Sequence, residues 1–80
     1  MTPVTLDKIE NQLTPLLKRG NLIVTGYMEG RAITAAIMTV TVDGQLFTKP
    51  YNVTPGVSED HICTVLREQL KKLGLLKDEP

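Results

Sequence analysis

Tryptophan is absent from this sequence, and cysteine and histidine occur once each, as Cys63 and His61. A lone cysteine closes no disulfide within the chain, and with one histidine it supplies too few soft ligands for an ordinary zinc site. Disulfide-stapled and zinc-stapled minidomains are excluded. Aromatics are limited to Tyr27, Phe47 and Tyr51, so the core must be built from Leu, Ile, Val and Met. Neither sign of charge dominates, with nine Lys plus Arg against nine Asp plus Glu. Non-specific nucleic-acid binding, which is mostly counterion release, therefore has little overall charge to draw on. Long apolar runs are missing too. The longest stretch without a charge, Ala32 to Val42, is interrupted by Thr34, Thr39 and Thr41 and falls far short of the roughly 20 apolar residues of a membrane span. The N-terminus carries Asp7, Lys8 and Glu10 rather than a basic start followed by an apolar stretch, so no secretory signal and a cytoplasmic location are expected.

What is present reads as one small soluble domain over residues 1–80, with 41% hydrophobic and 22% charged residues and frayed ends at 1–4 and 77–80. A chain of this size has a stability on the order of 4–12 kcal/mol and often gains by self-association. Leu6, Ile9, Leu13, Leu16 and Leu17 recur at helical spacing, which predicts a helix from Leu6 to Lys18 with Thr5 as N-cap and Gly20 after its end. Pro15 disfavours helical geometry at Thr14, so a break is expected there, with Thr14 capping a second start and Pro15 at its first position. A second helix is predicted from Glu59 to Leu73. Ser58 caps it, Ile62, Val65, Leu66, Leu70 and Leu73 form its apolar stripe, and Leu75 folds back after Gly74.

Between the helices, Ile, Val, Thr, Tyr and Phe dominate, punctuated by Glu29-Gly30 and Asp43-Gly44. This pattern predicts strands over Leu22–Met28, Arg31–Val42 and Gln45–Tyr51. The fold class is α+β in the order α-β-β-β-α, a three-stranded antiparallel meander with two helices on one face. Two-residue turns would place Val42 opposite Gln45 and Met28 opposite Arg31. That register gathers Leu22, Val24, Ile33, Ala35, Ile37, Thr39, Thr41 and Leu46 on one face. Ile23, Tyr27, Ala36, Met38, Val40, Val42, Phe47, Lys49 and Tyr51 fall on the other. The helices suit the first set, so the second is left as an apolar interaction face, represented by Ile23, Tyr27, Met38, Val40, Phe47, Lys49 and Tyr51.

Other motifs carry less. Cys63 and His61 project about 200° apart on a helix and cannot meet as a nucleophile and its base. The glycines do not form a phosphate-cradling loop before a helix. Asn52-Val53-Thr54 matches a glycosylation sequon in a chain with no export signal. Neither a catalytic constellation, a cofactor site nor a metal site is expected. The element order is also that of double-stranded-RNA-binding domains, which contact phosphates with a basic start to their second helix. Here Ser58, Glu59 and Asp60 occupy that start; the topology matches and the contact chemistry does not.

These features point to a non-enzymatic protein-binding or regulatory protein that acts through an apolar sheet face, with a protein partner or a homodimer and without membrane, metal or cofactor. The alternative is nucleic-acid binding. It would use the sheet aromatics as stacking platforms and a basic patch of Lys18, Arg19, Arg67, Lys71 and Lys72.

Overall fold

The computed structural model describes residues 2–77. Four strands and two helices follow the order β1 (Val4–Thr5), α1 (Asp7–Leu13), β2 (Asn21–Glu29), β3 (Ala32–Val42), β4 (Gln45–Asn52) and α2 (Glu59–Lys72). All neighbours in the sheet are antiparallel, in the order β1-β2-β3-β4. The α+β class is as expected, and the element order is corrected to β-α-β-β-β-α. Strand β1, with only two ladder pairs to Gly26 and Thr25, falls partly in the segment expected to fray.

Helix α1 is shorter than its periodicity predicts. Its N-cap is Leu6 rather than Thr5, without a side-chain cap bond. At Thr14 the chain tightens into a 3₁₀ turn, Thr14–Leu16, that takes Pro15 in its first positions. The expected break is real, but its N-cap is Leu13 rather than Thr14, whose hydroxyl donates back to the Glu10 carbonyl at 2.8 Å, and the break leaves Lys18 and Arg19 beyond the helical turns. The chain after α2 returns to this point: Leu17 bridges Leu76, the Lys18 N–H donates to the Leu75 carbonyl, and the Lys77 N–H donates to the Leu16 carbonyl at 2.8 Å. Residue 77 is thus tied down rather than frayed; the same expectation for residues 78–80 lies outside the described residues. Helix α2 follows its sequence signals closely. Ser58 Oγ accepts from the His61 N–H at 3.2 Å. Beyond the helix, Leu75 N–H donates to Leu70 and Gly74 N–H to Lys71, a Schellman ending that buries Leu75.

Register decides which face of the sheet the helices cover. The β3–β4 turn places Asp43 and Gly44 at φ 51° and 79°, as a type I′ turn requires, and Val42 pairs with Gln45 as predicted. The β2–β3 turn is instead centred on Gly30-Arg31, with Glu29 opposite Ala32 and Met28 opposite Ile33. Thr34 is then an extra residue, since Tyr27 pairs with Ala35. Its hydroxyl donates to the Tyr27 carbonyl at 3.2 Å and its own carbonyl accepts from Val53 N–H at 3.1 Å, so both carbonyls at the bulge have partners. Leu22 consequently faces Val40, three residues along β3 from the expected Ile37. An odd slip exchanges faces. Leu22 and Val24 share their side with Ala36, Met38, Val40 and Val42, and these pack against Ile9 and Leu13 of α1 and Ile62, Leu66 and Leu70 of α2 in one buried cluster.

Candidate functional site

The opposite face of the sheet is uncovered. Its centre consists of four cross-strand rungs: Asn21, Thr41 and Leu46; Ile23, Thr39 and Thr48; Thr25, Ile37 and Pro50; Tyr27, Ala35 and Asn52. None of these side chains is charged; Thr5 continues the third rung on β1, and Glu29, paired with Ala32, is the acid at the turn end of this side. Ile23 and Leu46 are 53% and 66% exposed, and Tyr27, Ala35, Ile37 and Thr39 are half-buried. Solvated sheet faces normally carry Lys, Glu and Arg, so these uncharged rungs, with Ile23 and Leu46 exposed, are a candidate interaction surface.

The structure divides the interaction face expected from the sequence. Ile23 and Tyr27 lie on the open side. Met38 and Val40 have no exposure at all and belong to the core. Phe47, Lys49 and Tyr51, opposite Val40, Met38 and Ala36, lie half-buried along the helix-covered side. Tyr27 is therefore on the opposite face from Phe47 and Tyr51, and the stacking platform imagined for nucleic acid is split. Ala35, Ile37, Thr39, Thr41 and Leu46 are the contributors that sequence reasoning assigned to the covered side. Their signal is the alternation Thr39-Val40-Thr41-Val42, in which the hydroxyl-bearing positions mark the side facing water.

Sheet edges are closed differently. Beyond β1, the free edge of β2 is covered by α1: the Val24 carbonyl accepts from Leu6 N–H at 2.9 Å, and Val24 N–H donates to the Glu10 carboxylate at 3.0 Å. The other edge, β4, carries Lys49 and Pro50, both of which discourage strand addition.

The expected basic patch is assembled in part. Lys18, Arg67 and Lys71 surround an open depression of about 590 Å³ together with Glu68, Gly74, Leu76 and Lys77. Arg19 points elsewhere and pairs with Asp43 at 3.5 Å, both side chains largely exposed, and Lys72 does not line the depression. Lys77 is the member the sequence reading missed, because that residue was expected to fray.

Cys63 is buried and its Sγ lies 3.4 Å from Gln12 Oε1, to which it donates. Burial, followed by the nearby Asp60 and Glu59 carboxylates, pushes its thiol above the ordinary value, with Arg67 acting in the opposite sense. The thiol is held protonated near neutral pH, which makes it a poor nucleophile. His61 is exposed. Among the described residues, no group of three or more His, Cys, Asp or Glu gathers as a metal-ligand set, and no helix is long and apolar enough to cross a membrane. No protein-family profile, no curated protein and no solved structure matches the chain.

Proposed function

We propose that this is a non-enzymatic binding protein of accessory or regulatory type that works as a two-fold dimer, joined through the open faces of two sheets. The observation that carries the reading is the uncharged rung pattern from Ile23 to Leu46, left bare because both helices pack on the other side. A two-fold axis brings the same patch onto itself, so the surface has only to be self-complementary, and aligned sheet-on-sheet packing accommodates β-branched side chains of this kind. With no charge on the four rungs, the centre of the interface meets no like-charge repulsion, and the one acid on this side of β2, Glu29, lies at its margin. Burial of Ile23, Ile37 and Leu46 would also enlarge the effective core of a chain near the lower limit of independent stability. The edges favour association by faces over strand addition, since β1 is short and flanked by α1 while β4 carries Pro50.

Sedimentation velocity over a concentration series tests this reading. The wild-type chain is expected to sediment as a dimer, and Ile23→Lys or Ile37→Lys as folded monomers by circular dichroism. Glu68→Lys, on the helix side, should remain dimeric. A wild-type chain that stays monomeric into the sub-millimolar range would overturn the proposal.

A further inference from the structure

We propose that the depression between the end of α2 and the chain around Lys18 binds a compact oligophosphate, a ligand with two or more linked phosphate groups. Among the described residues, four cations, Lys18, Arg67, Lys71 and Lys77, line it with one acid, Glu68. They come from three separate parts of the chain, whereas cations that merely balance a helix dipole would come from α2 alone. Two carbonyls in the last turn of α2, those of Leu70 and Lys71, each accept a backbone N–H at 3.0 Å in its Schellman ending. Lys71 and Arg67 are therefore not required there as caps.

The backbone positions of Lys18 and Lys77 are fixed by the Leu17–Leu76 bridge and its flanking hydrogen bonds. Much of the cost of gathering like charges is thus met by the fold rather than by the ligand. Among the described residues, ion pairing engages Arg19 with Asp43 and none of these four cations. An opening of about 590 Å³ suits a small ligand. Arg67 offers a planar fork for two phosphate oxygens, the lysines add point charges, and Leu76 and Gly74 complete the lining without charge. The cluster is small and the chain has zero net charge, which favours a compact anion over a long nucleic-acid backbone.

Amide chemical-shift titration with inorganic tripolyphosphate at low salt tests the proposal. Asp78 and Glu79 follow Lys77 in the sequence and are the nearest competitors along the chain. The titration therefore uses both the wild-type chain and the double variant Asp78→Asn/Glu79→Gln. Saturable binding with a dissociation constant below about 1 mM is expected for at least one of them. The shifts should concentrate at residues 16–18 and 67–77, and binding should be abolished by about 1 M salt. Arg67→Gln, Lys71→Gln and Lys18→Gln should each weaken it about two- to five-fold, the scale of one surface charge. Lys72→Gln and Arg19→Gln should leave it unchanged. The proposal is overturned by lack of saturation with both chains, by equal loss in the two control variants, or by binding of a single-stranded oligonucleotide without binding of tripolyphosphate.

Discussion

The two faces of this sheet are made from nearly the same kinds of residue and meet opposite fates. In β3, Ala36, Met38, Val40 and Val42 are buried, while Ala35, Ile37, Thr39 and Thr41 lie on the open side. Valine and threonine have almost the same shape and β-branched stiffness, so propensity does not separate the faces. The hydroxyl does. A buried hydroxyl needs a partner or costs free energy, and no hydroxyl occurs among the buried residues of the core. Composition alone shows an apolar strand on both sides; the Thr/Val alternation shows which side can remain wet.

The largest difference between the faces should come from adjacent charge insertions. Val40→Glu places a carboxylate where exposure is zero, at a cost of several kcal/mol against a total stability on the order of 4–12 kcal/mol. Loss of the cooperative thermal transition is expected. Thr39→Glu, one residue away, should keep that transition and yield a monomer. If the two variants unfold alike, the open face is not open, and the comparison fails.

An intermediate effect is expected where the covered side meets the sheet edge. Glu10 is a part-buried carboxylate that accepts the Val24 N–H at 3.0 Å, in the stretch of β2 beyond the reach of β1. Glu10→Ala leaves that donor without its partner and should cost about 1–3 kcal/mol in denaturant melts. Glu10→Gln retains an acceptor oxygen and should recover most of the loss. Equal destabilisation by both variants would mean that the charge, rather than the hydrogen bond, holds α1 to the sheet.

How far the sequence could be read follows the same division. Strands β3 and β4, their Asp43-Gly44 turn and helix α2 were legible because each carries a local signal: positive φ at both turn residues, a serine cap, a glycine after the last turn. The pairing of β2 with β3 was not. Two small local events set it, a turn moved by one residue to Gly30-Arg31 and the extra Thr34, and together they carry Leu22 from Ile37 to Val40. Neither event alters composition or periodicity, yet their odd sum exchanges the faces. The same error moved Met38 and Val40 onto the interaction face and took Ile37, Thr39 and Leu46 off it. Strand β1 and Lys77 escaped for another reason. Each is held by one or two backbone bonds to a distant segment, and such contacts leave no periodic trace.

The smallest expected effect sharpens the comparison most, because it converts one face into a copy of the other. Thr39→Val with Thr41→Val replaces hydroxyls by methyl groups at nearly constant volume and makes the outer side of β3 read like its inner side. If those positions face water in the monomer, the fold loses no buried hydrogen bond and gains little burial. Its stability, measured at a concentration where the chain is monomeric, should then change by no more than about 0.5 kcal/mol. Association should respond instead, since the added methyl groups are buried only when a second sheet covers them. The sedimentation series should show tighter dimers or higher oligomers at equal concentration. A marked loss of monomer stability would show that the threonine hydroxyls have partners within the chain. Unchanged stability with unchanged association would show that the open face is a tolerated surface, and the dimer reading would lose its support.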